Sequence, residues 1–220
     1  MFDSCSNLKY VNTADWDVSN VTDSEAPFWH TSSLIEADLS NWKLEKSTNL
    51  SQFMQDIPTL TTLKLDNFNT CGTGVEVSCG DVFYYLPIKE FIAPNWTNFK
   101  YLSQKYSIIS SMPNLERVVL HSIDTSAECN SKYTSVTHFK NCPKLKKIEV
   151  TDSINITKDY DLSGTIVDRN TALLFLQGLN SGVTGKMIKF SPESFSKLTD
   201  ADKKIATDKG WRVAVMAPVQ

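Results

Sequence analysis

The sequence predicts an α/β protein built from stacked short parallel strands and closed by helices at its C-terminal end. Three observations lead there. One sparse apolar frame returns six times, its period is that of a chain segment carrying one strand, and the spacing turns helical after Gly164. The expected class is a leucine-rich repeat solenoid with a parallel β-sheet, an irregular outer face and helical C-terminal coils.

The frame starts at "NLKYVNTADW" from Asn7 and recurs as "SLIEADLSNW", "TLTTLKLDNF", "PIKEFIAPNW", "NLERVVLHSI" and "KLKKIEVTDS". Its first anchors are Leu8, Leu34, Leu60, Ile88, Leu115 and Leu145, separated by 26, 26, 28, 27 and 30 residues. Three and five positions on come Val11/Thr13, Ala37/Leu39, Leu63/Leu65, Phe91/Ala93, Val118/Leu120 and Ile148/Val150. Alternate strand residues share a face, so each of these pairs points inward together. Eight positions after the anchor come Trp16, Trp42, Phe68, Trp96, Ile123 and, against the pattern, Ser153. Six before it come Phe2, Phe28, Met54, Val82, Ile109 and Phe139. One copy cannot bury such side chains alone, whereas stacked copies give a continuous core. That is why the apolar positions persist while their neighbours change.

The array occupies residues 1–164. In residues 165–220, "DRNTALLFLQGLNSG" reads as a helix with Asn170 as N-cap and Gly178 or Gly182 near its end. "KMIKF" follows as a strand, then a helix capped at Thr199 and closed by Gly210, then a strand over 211–215. These are helical C-terminal repeats and a cap of the same stack, protecting its last open edge. Met1–Phe2 enters in mid-repeat, so upstream coils or another chain are expected over the first copy.

The net charge is −3, and the densest basic run is "KLKKIEV" at 144–150, which argues against a nucleic-acid partner. The longest apolar run, "ALLFL" at 172–176, falls far short of the roughly 20 residues that span a bilayer. No basic-then-apolar leader opens the chain. The five cysteines are an odd number, so at least one is unpaired within the chain, and no disulfide framework is expected. Cys5 and Cys142 precede repeat leucines by three residues and read as buried thiols. Cys71 and Cys79 bracket "TCGTGVEVSCG", where a small disulfide is one of two outcomes, and Cys129 is expected to be a thiol.

Catalysis finds no support. His30, His121 and His138 fall in different copies without metal-ligand spacing, and there is no G-x-S-x-G, C-x-x-C or phosphate-cradling loop. No catalytic residue and no cofactor is expected. "DYDLSGTIVDRN" begins like a calcium loop through Asp159, Asp161 and Ser163, but its twelfth position is Asn170 where that loop uses a bidentate glutamate. A turn leading into a capped helix accounts for the same residues. Asn20, Asn49, Asn95 and Asn155 open N-x-S/T triplets, one of which lies inside the first repeat.

Binding is better placed on the outward strand positions. These form ladders Tyr10, Glu36, Thr62, Glu90, Arg117, Lys147 and Asn12, Asp38, Lys64, Ile92, Val119, Glu149, with a third ending Pro94, His121, Thr151. At about 4.8 Å per strand, eight strands present a face about 35 Å long. Glu90, Ile92, Arg117, Val119 and His121 are the candidate patch, because apolar and charged groups adjoin there; the plain alternative is a solvated sheet face. Trp16, Trp42, Trp96 and Trp211 are assigned to packing. Trp29, beside His30, lies off the columns and would either fill a loop or stack on a sugar ring.

"MFDSCSNLKYVNTADWDVSNVTD" resembles the MF-x-x-C-x-x-L…W-D-x-S-N-V-T-x-M repeat of BspA-type bacterial leucine-rich repeat surface proteins. "KMIKFSPESFSKLTDADKKIATDKGWRVAV" is similar to the ending of leucine-rich repeat proteins from gut Bacteroidales and their phages. The two stretches cover about a quarter of the chain closely. Ser24 stands where the repeat has Met, and the second copy has "NWKLEKSTNL" in place of the W-D-x-S-N-V-T segment. The resemblance implies a secreted or surface-displayed adhesion module that binds a protein or glycan at a cell surface, and it carries no catalytic residues. A structural spacer or assembly module in a larger surface or phage-tail protein is the alternative.

Overall fold

A computed structural model of the chain describes residues 1–72, 77–101, 108–126 and 135–217. The fold is mixed α/β, and every strand pairing among the described residues is parallel.

The predicted strands form a first ladder. Tyr10–Asn12, Glu36–Asp38 and Thr62–Lys64 make one three-stranded sheet; Glu90–Ala93, Arg117–Leu120 and Lys147–Val150 make another. The register follows the sequence frame: Val11 is opposite Ala37 and Ala37 opposite Leu63, while Val118 lies between Phe91 and Ile148. Leu34, Leu60, Ile88, Leu115 and Leu145 are all buried beneath these strands. Backbone pairing lapses between Lys64 and Glu90, and side chains cross the gap. Asn95 Nδ2 donates to Asp66 O at 2.8 Å and to Asn67 Oδ1 at 3.2 Å, and Asn67 Nδ2 donates in turn to Asn41 Oδ1 at 3.1 Å.

One strand per copy was expected, but the copies carry more. Met54–Gln55, Phe83–Tyr84, Ile109–Ser110 and Phe139–Lys140 form a second parallel ladder at the column six residues before the anchors, except that before Ile88 the ladder takes Phe83, one residue on from the expected Val82. Directly after it the backbone turns through a left-handed residue: Ser4, His30, Asp56, Tyr85, Ser111 and Asn141 all have φ between 53° and 56°. Such a φ costs a non-glycine residue about 1–2 kcal/mol. The first five of these turns are each held by a bond to the next copy, as from Ser4 N to Trp29 O at 2.8 Å and from Ser111 N to Lys140 O at 2.8 Å. Because these residues are not glycines, nothing in the sequence announced the turn.

The interior is a nearly continuous column of rings. Phe2 stacks on Phe28 at 5.3 Å, and contacts continue through Phe53, Phe83, Trp96, Phe99, His138 and Tyr160 to Phe175. Indole N–H groups find partners within it: Trp42 donates to Thr13 O and Trp96 to Thr70 Oγ1, each at 3.0 Å. Ser24, standing at the methionine position of the resembled repeat, is buried, and its hydroxyl has no partner among the described residues. Two packing assignments need correction at the N-terminal end. Trp16 is 44% exposed, its ring meeting Phe2 alone among the described rings where Trp42 meets Phe28 and Phe53, and Cys5 is exposed, whereas Cys142 is buried as expected.

Helix α1 (Arg169–Gln177) takes the place of a seventh strand in the first ladder. Ile166 N and Asp168 N donate to Leu145 O and Lys146 O, and Ile148 N donates to Thr171 Oγ1 at 3.1 Å, so the last strand edge is satisfied. The N-cap is Asp168, accepting from Thr171 N at 2.7 Å, and not the predicted Asn170. A short helix that escaped the sequence reading, α2 (Pro192–Ser196), begins with Ser191 as N-cap and proline in the first turn. Helix α3 (Asp200–Asp208) has the expected Thr199 cap, completed by Asp202 into a capping box, and Gly210 adopts φ +81° beyond its end. Lys209 Nζ reaches Gln177 O and Leu179 O, supplying donors to the C-terminal carbonyls of α1. Asp159–Leu162, Met187–Phe190 and Arg212–Val215 continue as neighbouring parallel strands.

Candidate functional site

On the first ladder the register brings the candidate residues together. Arg117 lies between Glu90 and Lys147, and Val119 between Ile92 and Glu149. Arg117 Nε donates to Glu149 Oε1 at 2.6 Å and Nη1 reaches Glu90 Oε1 at 3.3 Å, while Lys147 Nζ lies 3.1 Å from Glu149 Oε1. The Arg117 guanidinium and then Lys147 hold the Glu149 carboxyl below its ordinary value, and the two carboxylates hold Arg117 above its own. Two cations and two carboxylates therefore neutralise one another across three strands. The same motif recurs in the other sheet, where Lys64 Nζ bridges Glu36 at 2.7 Å and Asp38 at 3.6 Å.

Val119 departs from the expected patch. It faces away from the main apolar cluster yet is only 7% exposed, flanked by Ile92 and Glu149. Ile92 and His121 stay partly exposed and Glu90 is exposed. The face thus offers a fixed polar surface with one half-buried isoleucine, and Tyr10, 63% exposed, stands at its far edge.

The calcium reading meets a different geometry. Asp159 and Asp161 lie on a strand, not in a loop. Asp159 Oδ1 accepts from Met187 N at 2.9 Å, and Asp161 Oδ1 accepts from the N–H and hydroxyl of Ser163, with Lys189 at 3.9 Å. Asp38 and Ser40 make the same turn in the second copy. Among the described residues no group of three or more His, Cys, Asp or Glu side chains is placed to hold a metal. Cys71 is a buried thiol, 3.1 Å from Ser47 O, so no bridge joins it to Cys79; Cys129 lies outside the described residues. The triplet asparagines serve inter-copy contacts: Asn49 donates to Glu25 and Asn155 to Asp124, while Asn20 accepts from Lys46.

His30 and His138 are far apart in role. His138 is buried, whereas His30 stacks on Trp29 with ring centroids 4.2 Å apart and approaches Asp56 at 3.5 Å. The neighbouring Tyr84 and Tyr85 were not singled out in the sequence, though the doublet "FYYLP" was visible there.

No described helix is long and apolar enough to cross a membrane. No curated protein and no solved structure matches the chain. Residues 1–76, about a third of the sequence, match the family model described as "Mycoplasma protein of unknown function, DUF285", a family that includes BspA-like repeat proteins.

Proposed function

We propose that the chain is a leucine-rich repeat solenoid acting as a non-enzymatic recognition module, displayed at a bacterial cell surface, whose parallel-strand face contacts a protein or glycan. The observation that carries this reading is the common register of the ladder, which lines up outward side chains from successive copies into one extended surface. The BspA-like first repeat and the family match over the same region support surface display. On this reading Glu90, Ile92, Arg117 and His121 make the contact, with Val119 supporting them from beneath.

The ion pairs favour the second reading, a spacer or assembly module, because a self-neutralised face has little left to offer a partner. The two are separated by capture of partners from host-surface extracts on the immobilised chain. Recognition by this face requires that Arg117→Ala and Ile92→Ala each release the captured partner. Capture unchanged by both substitutions removes the patch, and no capture at all favours the spacer.

A further inference from the structure

The second ladder carries a different kind of surface. Gln55–Asp56 and Tyr84–Tyr85 on this ladder, with Trp29–His30 at the matching turn one copy earlier, form three adjacent rows. The rows are tied in order by bonds from His30 N to Gln55 O and from Asp56 N to Tyr84 O, both 3.2 Å. The outer rows are aromatic. Trp29 and His30 are stacked, Tyr84 and Tyr85 lie 6.3 Å apart, and Tyr85 is 53% exposed. The middle row is polar: Gln55 Nε2 donates to Asp56 Oδ2 at 3.1 Å, and His30 Nε2 approaches the same oxygen at 3.5 Å.

Two atoms here lack partners. Trp29 Nε1–H is a donor and Gln55 Oε1 an acceptor, both shielded from water and neither hydrogen-bonded among the described residues. Such groups are uncommon and call for a physical reason. That two of them fall on neighbouring rows of one aromatic surface gives one.

We propose that Trp29, His30, Gln55, Asp56, Tyr84 and Tyr85 form a binding site for an extended, neutral, β-linked oligosaccharide. Aromatic faces pack against the C–H faces of pyranose rings, and the amide and carboxylate between them take hydroxyls. The aromatic rows are two strand spacings apart, about 9.6 Å, further than one sugar ring spans, so a chain of sugars bridges them. Asp56 is the acid of these rows and has His30 beside it, and Lys140 lies two rows beyond Tyr84. Among the described residues no cationic cluster adjoins these rows to attract a polyanion. Turning the Gln55 amide outward offers its unpartnered Oε1 to a ligand hydroxyl. The site uses none of the residues of the strand face, so the two readings stand or fall separately.

The test is affinity electrophoresis of the full chain through native gels containing a soluble β-linked glucan, a β-linked mannan or an α-linked glucan. The expected result is retardation by at least one β-linked polysaccharide. Tyr85→Asn and His30→Asn keep residue types that tolerate positive φ, and each weakens retardation by about tenfold. Trp29→Phe, which keeps the ring and removes the N–H, weakens it less. Lys204→Ala, on the exposed face of α3, leaves it unchanged. The proposal is overturned if the wild-type chain migrates freely in every gel. It is equally overturned if any of the three site variants, with wild-type circular dichroism, is retarded like wild type, or if these variants abolish only the capture of a protein.

Discussion

His138 Nδ1 and the Tyr160 hydroxyl lie 2.5 Å apart in the middle of the ring column, and both side chains are fully buried. Phe99 packs at 5.1 Å on the histidine and Phe175 at 5.3 Å on the tyrosine. His138 Nε2 has no partner among the described residues, so a second proton on the ring would be buried without solvation. Burial accordingly pushes the imidazole down from 6.5 to about 3 and the phenol well above its usual value.

Below 6.5 the unfolded chain binds a proton at His138 that the folded chain refuses until about 3. Stability at this site is therefore complete above 6.5 and is lost progressively as the pH falls towards 3. In urea unfolding, His138→Gln lowers the midpoint near neutral pH, and its deficit against wild type narrows at about pH 4.5. A deficit of the same size at both pH values would contradict a buried neutral histidine.

Trp16 and Trp42 occupy the same column of the sequence frame but not the same environment. Trp42 is 2% exposed between neighbouring copies, and Trp16 is 44% exposed. Trp42→Ala is expected to cost about 3–5 kcal/mol, and Trp16→Ala no more than about 1 kcal/mol. Chemical denaturation of the two variants measures the difference. Equal losses would mean that something covers Trp16 in solution.

That contrast shows what the sequence could express. Side chains that repeat because they fill one column were legible, so the anchors, the first-ladder register and the Thr199 and Gly210 punctuation of α3 were predictable. The second ladder was hidden because two-residue strands leave no alternation to detect, and its left-handed turns use Ser, His, Asp, Tyr and Asn. The exposure of Cys5 and Trp16 was also invisible, since in sequence they look like their buried counterparts Cys142 and Trp42. For the candidate patch, the sequence placed Glu90, Ile92, Arg117, Val119 and His121 on one face. It could not show that Arg117 would turn sideways onto Glu149 and Glu90, because that pairing spans 27 and 32 residues.

Gly178 is needed for contact, not for its φ of −75°. A Cβ there would sit 2.3 Å from Ile154 Cγ2 and 2.6 Å from Ile154 Cβ, while Gly178 O accepts from Ile156 N at 2.9 Å. The backbone cannot retreat without losing that bond. Gly178→Ala is expected to destabilise by about 1–3 kcal/mol. Ile154→Ala in the same chain should recover part of the loss, since the two substitutions share one contact. Additive losses in a double-mutant cycle would show that the close approach is relieved elsewhere.

Arg169 and Asp202 join the starts of α1 and α3. Arg169 Nε donates to Asp202 Oδ2 at 2.9 Å and Nη2 to Oδ1 at 2.7 Å, and Oδ2 also accepts from Thr199 N at 2.9 Å. The carboxylate is only 7% exposed. The guanidinium first, and then the Thr199 N–H, lower its pKa from 3.8 to about 2. The unfolded chain is thus protonated at Asp202 before the folded chain is, so this contribution is complete above 3.8 and disappears as the pH falls through about 2. Asp202→Asn should melt lower than wild type near neutral pH, with the two converging in strong acid. Arg169→Gln should behave alike, because it removes the same partner from the other side. If either variant kept its full deficit at about pH 2, the bridge would not be what joins the two helices.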